Sequence, residues 1–252
     1  MLKHWFKYET EYEQKNVNLI CFSHAGGSAR AYIPWKQYLP IEVGLLPVQL
    51  PMRENRIRDK MPENIQSIVK QIVDENPEVF KKPFALFGHS LGLFFAFETA
   101  VYCQENLGVE PEAVFVSGTV DPAHSKEKGK MLDLDDGKLL RTLLNFDGTE
   151  QQLLENKSFR DYLLPILRTD FRLFREYKNT AQQVHCPIYS YSGSRDPFAM
   201  TGEVEKWRNF TNAQYSHKEF TGGHFYMNQH TEELCHDILR KLKLTGGIRN
   251  AV

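Results

Sequence analysis

The run Gly88-His89-Ser90-Leu91-Gly92 constrains this chain more than any other five residues. It lies without a linker between an apolar stretch, residues 83–87, and a stretch rich in Leu, Phe and Ala, residues 91–105. The first reads as a buried strand and the second as a helix. A strand that becomes a helix within so few residues needs strained backbone angles at the apex and no side chains crowding it, and flanking glycines meet both needs. In that context G-x-S-x-G is a nucleophile elbow, which presents the serine hydroxyl at the end of a sheet and aims the helix N-terminal dipole and N–H groups at the same point. An incidental serine in a glycine-rich turn is the competing reading, and the strand-to-helix context weighs against it.

The remainder of the chain repeats the alternation. Short apolar runs at residues 17–23, 43–50, 113–117, 188–192 and 215–220 predict strands. Residues 62–76 place Ile65, Ile68, Val69, Ile72 and Val73 at helical spacing, with Pro62 at the first turn and Pro77 beyond the end. Residues 231–242 predict a closing helix with Leu234, Ile238 and Leu242 in register. Strands alternating with helices imply an α/β protein with a mainly parallel sheet flanked by helices. Residues 120–184 break the pattern, with helical segments such as DDGKLLRTLL and RTDFRLFREY and no convincing strand. So long an insertion is expected to pack as a helical lid over a site, with decoration of the domain edge as the alternative. One domain over residues 1–244 with a frayed tail at 245–252 is the expected organisation.

Composition narrows the partners. Lys+Arg 31 against Asp+Glu 32 gives a net charge of -1, so no overall field favours nucleic acid or an anionic membrane. The first residues, MLKHWFKYETEYEQK, carry charges throughout and lack a signal-peptide core, and no later stretch approaches the ~20 apolar residues of a span. A soluble, cytoplasmic and monomeric protein is the expectation. Cys21, Cys103, Cys186 and Cys235 are scattered without a CxxC pair, so they read as reduced packing residues rather than metal ligands or a disulfide framework.

A serine hydroxyl needs a base, and a fold of this kind supplies an acid and then a histidine after the serine in chain order. Asp196, in Ser192-Gly193-Ser194-Arg195-Asp196-Pro197, and His224, in Gly222-Gly223-His224-Phe225, each follow a strand-like run. Both side chains therefore belong to loops at the strand ends that converge on the elbow. Of the nine histidines, His224 alone follows a strand within a glycine loop. Asp121 also follows a strand and stays in contention with Asp196, whereas Asp170 lies inside the helical insertion and would have to fold back. Acyl transfer also needs donors for the tetrahedral oxyanion, one on the residue after the nucleophile and one in an early strand-to-helix loop. Leu91 N–H fits the first. Ala25 N–H, in His24-Ala25-Gly26-Gly27, is the choice for the second, with His24 as a structural loop histidine. Together these features point to the α/β-hydrolase fold with Ser90, Asp196 and His224 as its triad, and Asp121 stays open as the alternative acid.

The motifs CFSHAGGSA, LPMREN, FGHSLG, VSGTVDPA, RTDFRLFREY, SGSRDPF and GGHFY occur in order across nearly the whole chain. In them the chain resembles the type II thioesterases that accompany nonribosomal peptide and polyketide synthetases. The resemblance implies hydrolysis of acyl or aminoacyl thioesters from the phosphopantetheine arm of carrier proteins, clearing misprimed synthetases. It implies no metal or redox cofactor, phosphopantetheine entering only as part of the substrate. Two departures stand out: Met52 occupies a position where the family commonly has glycine, and Leu91 replaces a frequent methionine. The charged segment 53–60 is expected to be a solvated loop, with docking of a carrier as the alternative. A general carboxylesterase is the enzymatic rival, since the same triad serves oxygen esters, and a non-catalytic ligand-binding protein on the same scaffold is the rival of a different class.

Overall fold

The first strand, β1 (Val17–Phe22), is buried along its whole length. That is the pattern of a strand covered on both faces, and its alternate residues feed two separate cores. Ile20 and Phe22 face one core, Leu19 and Cys21 the other. In the computed structural model, which describes residues 4–7, 11–118, 130–144, 155–178, 182–199 and 201–244, β1 is joined by β2 (Val43–Pro47), β3 (Phe84–His89), β4 (Val114–Ser117), β5 (Ile188–Gly193) and β6 (Tyr215–Phe220). Among the described residues these six strands form one sheet in the order β2-β1-β3-β4-β5-β6, every neighbour parallel. Parallel pairing puts all the strand C-terminal ends on one edge, where the loops gather. This is the doubly covered architecture of the α/β-hydrolase fold.

Helix α1 (Ile65–Glu75) begins three residues later than Pro62 suggests, because the Asn64 side chain accepts the Ser67 N–H at 2.8 Å and caps it there. Pro77 does not merely follow the helix but opens a further turn, α2 (Pro77–Phe80), at a position where its missing N–H is not needed. The central helix α3 (Gly92–Asn106) is buried along most of its length. Strand β2 ends at Pro47, short of the expected Leu50, because Val48 leaves the parallel ladder for an antiparallel bridge with Phe6.

Between β4 and β5 the described residues hold α4 (Asp136–Leu144) and α5 (Lys157–Glu176) and no strand. Helix α5 turns a stripe of Leu163, Ile166, Leu167, Asp170, Phe171 and Phe174 inward, the i, i+3, i+4, i+7 spacing of a one-sided helix. The described residues after β6 end in α6 (Thr231–Lys241), which packs on the second core through Leu234, Cys235 and Ile238. No described helix is long and apolar enough to cross a membrane. The expected tail at 245–252 lies outside the described residues.

One buried acid makes the packing of α3 against the end of α5 sensitive to pH. Glu98 is buried on α3 and accepts the Tyr177 O–H at 2.6 Å. Burial pushes its carboxyl up to about 6, against the lowering effect of the hydrogen bonds from Tyr177 and Gln66. A folded-state value above the unfolded one means the native protein binds the proton more tightly. The stabilisation is therefore fully present below the unfolded value near 4.5 and is lost as pH rises through about 6. With the shift worth about 2 kcal/mol, Glu98→Gln, which keeps an oxygen for Tyr177, is expected to be more stable than wild type at pH 8 and no more stable at pH 4.5. Urea unfolding at the two pH values checks this, and an equal effect at both would remove the titration as its cause.

Candidate active site

The elbow takes the shape its residues require. Ser90 sits at φ +56, a left-handed conformation rare for a residue with a side chain, held by its N–H donating to Ser117 O at 2.8 Å. The glycines on either side are obligatory for a different reason. A Cβ on Gly92 would lie 2.0 Å from Phe22 O, and one on Gly88 would lie 2.3 Å from Gly92 O, so the strand–helix crossing leaves no space for any side chain.

Asp196 and His224 arrive from β5 and β6. The loop after β5 is tied to the loop after β6 by Ser194 N–H to Phe220 O and Arg195 N–H to Gly222 O, both 2.8 Å. Asp196 and His224 are both buried, and His224 Nδ1 donates to Asp196 Oδ2 at 2.8 Å. The other carboxylate oxygen, Oδ1, accepts Phe198 N–H at 2.9 Å, which sets the plane of the carboxylate. Ser90 and His224 line one cavity with His24 and Ala25. Its remaining walls are apolar: Met131, Leu143, Phe171 and Phe174 from the insertion, and Phe198 and Phe225 from the acid and histidine loops. Asp121, the other acid in contention, lies outside the described residues. Asp170 does fold back, but onto Arg53 and Gly26 rather than onto a histidine.

The early loop brings Ala25 to the cavity wall. Gly27 N–H donates to His24 O at 2.9 Å and Gly26 N–H to Asp170 Oδ2 at 2.8 Å, while neither Ala25 N–H nor Leu91 N–H donates to a described residue. His24 packs its ring edge-on to Phe225 at 4.7 Å. Burial, with His224 and Arg53 nearby, lowers its imidazole to about 3, so it is neutral at ordinary pH. Burial likewise pushes the Cys103 and Cys186 thiols up to about 12 and raises those of Cys21 and Cys235, which leaves them inert as nucleophiles.

Behind the histidine lies a set of residues that sequence reasoning did not single out. His89 Nδ1 and Ser117 Oγ share a hydrogen bond of 2.9 Å, and Ser117 Oγ and Tyr226 O–H one of 2.5 Å. The His89 ring stands 4.9 Å from that of His224. Gly118, at φ +67, closes this packing, since a Cβ there would meet His89 Cε1 at 2.4 Å.

The segment 53–60 is only in part the solvated loop expected. Arg53 and Arg56 are buried, and Arg56 donates to Asp59 Oδ2 and Gln49 O while stacking over the Trp5 ring. Neither is available to a docking partner. Met52 has φ +67, which explains why glycine suits that position: a Cβ in the left-handed region costs roughly 1–2 kcal/mol.

The Thioesterase domain family matches residues 17–242. The thioesterase PikA5 of Streptomyces venezuelae is 33% identical over 237 residues, 93% of this chain and 84% of that protein. Among solved structures, the type II thioesterase BorB from the borrelidin biosynthetic cluster aligns with a TM-score of 0.84 at 31% identity, covering 94% of this chain and 97% of that one. RedJ, a thioesterase from the prodiginine pathway of Streptomyces coelicolor, aligns at 0.85 and 27% identity, covering 93% of each chain. A match over nearly the whole chain, on the same fold and with the elbow intact, has one consequence: the chain belongs to the thioesterase domain family, as a thioesterase of the α/β-hydrolase fold and of the type II kind found in nonribosomal peptide and polyketide pathways.

Proposed function

We propose that the chain hydrolyses acyl and aminoacyl thioesters carried on the phosphopantetheine arm of carrier proteins, through an acyl-enzyme on Ser90. The observation that carries the mechanism is the 2.8 Å bond from His224 Nδ1 to Asp196 Oδ2, with His224 and Ser90 on the wall of the same cavity. With Nδ1 holding its proton toward Asp196, Nε2 is left as the base. It takes the Ser90 hydroxyl proton as Oγ bonds to the thioester carbonyl carbon. The carbonyl oxygen becomes an oxyanion, received by the Ala25 and Leu91 N–H groups. Collapse breaks the C–S bond, and the thiol leaves with the proton held by His224. Water then adds to the acyl carbon, giving its proton to His224, and the C–O bond to Ser90 breaks as that proton returns to Oγ and the carboxylic acid departs. Asp196 stabilises the imidazolium in both halves. The C–S bonding pair leaves on the thiol sulfur, the second nucleophile is water, and His224 carries the proton in both halves.

The apolar cavity walls suit an acyl group, and the relatives supply the synthetase setting: BorB is a type II thioesterase from the borrelidin biosynthetic cluster, and ClbQ comes from the colibactin pathway of nonribosomal peptide and polyketide type. The test is hydrolysis of acyl, aminoacyl and peptidyl carrier proteins beside oxygen esters of the same acyl groups. The carrier thioesters are expected to lead in kcat/KM by at least roughly tenfold, about 1.4 kcal/mol of transition-state binding. Turnover of the esters with none of the carriers would make the protein a carboxylesterase instead.

A further inference from the structure

Arg53 and Asp170 form a buried pair that no step of the proposed reaction uses. They are 1% and 0% exposed, and they meet end-on, Nη2 to Oδ1 at 2.8 Å and Nη1 to Oδ2 at 3.0 Å. The same groups reach the backbone of the early loop: Asp170 Oδ2 accepts Gly26 N–H at 2.8 Å, and Arg53 Nη1 donates to Gly27 O at 2.8 Å. Arg53 Nε is anchored on Pro51 O at 3.0 Å. The pair thus joins the segment after β2, the loop after β1 and helix α5. Gly26 has φ +77, and a Cβ there would lie 2.9 Å from Leu167 Cδ2, so the loop is pressed directly against α5.

Two peptide units of the loop have their directions set by these contacts. Gly26 N–H is turned to Asp170, and Gly27 is held at both ends, its carbonyl by Arg53 and its N–H by His24 O. His24 C=O and Ala25 N–H belong to one trans peptide and point opposite ways. Turning the carbonyl toward Gly27 therefore turns Ala25 N–H away from it, on the residue that faces the cavity beside Ser90.

We propose that Arg53 and Asp170 are positioning residues for the oxyanion donor Ala25, and that they couple its placement to the seating of α5, the helix whose Phe171 and Phe174 wall the acyl cavity. The proposal rests on the acyl-enzyme reading above. An acyl group that packs well against α5 keeps Asp170, and through it Ala25 N–H, in place as the oxyanion forms. Specificity for the acyl chain then enters kcat and not only KM.

The experiment compares wild type, Asp170→Asn and the double variant Arg53→Met with Asp170→Leu. The double variant replaces both charges by apolar groups of similar size, a change that is often neutral for buried pairs, whereas removing one partner alone leaves an uncompensated buried charge. All are assayed well below their melting midpoints on one acyl thioester. Each is also titrated with an acyl trifluoromethyl ketone, whose carbonyl carbon bonds to Ser90 Oγ while the serine proton passes to His224, leaving an oxyanion in the donor site. Loss of one aligned donor lowers kcat by on the order of 100-fold, with KM changed by less than about threefold. The ketone should weaken by the same factor as kcat. Asp170→Asn, which keeps an oxygen for Gly26 N–H, should lose less. A folded double variant, or a folded Asp170→Asn if the double variant fails to fold, with wild-type kcat and ketone affinity would reduce the pair to a structural role. Turnover by Ser90→Ala within tenfold of wild type would instead bring down the acyl-enzyme reading itself, so the two failures are distinguishable.

Discussion

Ser90→Ala is expected to lower kcat for thioester hydrolysis by roughly 10⁴- to 10⁶-fold while leaving the fold and KM nearly unchanged. The substitution removes one oxygen from a side chain whose backbone is held by Ser90 N–H to Ser117 O. Alanine carries the same Cβ, so the strain at φ +56 is no greater than in wild type. With no nucleophile, what remains is slow attack by water in a cavity that still offers the two oxyanion donors. Thiol release gives the rate, and intact-protein mass after treatment with a fluorophosphonate reports the adduct: one addition on wild type and none on the variant. A Ser90→Ala protein with activity within tenfold of wild type would end the covalent mechanism.

The second large effect separates the two acids that sequence left in contention. Asp196→Asn is expected to reduce kcat by roughly 10³- to 10⁴-fold, and Asp121→Asn by less than tenfold. The reason lies in the two oxygens of Asp196. Oδ1 accepts Phe198 N–H, so an asparagine at 196 must keep its oxygen there and turn its NH2 toward His224. An NH2 facing Nδ1 requires Nδ1 to accept, which moves the imidazole proton to Nε2, the atom that has to receive the serine proton. The loss therefore falls on kcat, with thermal stability and KM little changed. Steady-state kinetics of the two variants decide the matter, and the opposite ranking would hand the role to Asp121.

Much of this protein is legible in the sequence because the relevant physics is local. Ser90 was marked by glycines whose absent side chains are forced by a backbone crossing, and such a constraint leaves a residue-level trace. His224 and Asp196 were marked by position, each in a short loop after an apolar run. Asp170 was set aside as an acid in a helical insertion. Yet it sits on the stripe Leu163, Ile166, Leu167, Phe171, Phe174, and an acid in an apolar stripe demands a buried partner. That signal was present and pointed to a partner without saying which. Arg53 offered less: it opens a run of charges, and nothing in the run distinguishes a buried arginine from the exposed Arg58 five residues on. The start of α1 was misjudged because Pro62 is a permissive signal for a first turn, whereas the Asn64 cap is a bond.

By itself, the sequence determined the alternation of strands and helices, the elbow, and the chain order of serine, acid and histidine. These follow from periodicity and from backbone conformations that only certain residues adopt. Tertiary structure decided what depends on contacts between distant segments: that Arg53 and Asp170, 117 residues apart, close on each other, that among the described residues Gly26 and Gly27 have their N–H groups engaged while Ala25 does not, and that Phe171 and Phe174 line the same cavity as Ser90. A hydrogen-bonded ion pair is chosen by which groups a completed fold leaves without water, and no local window of sequence contains that information.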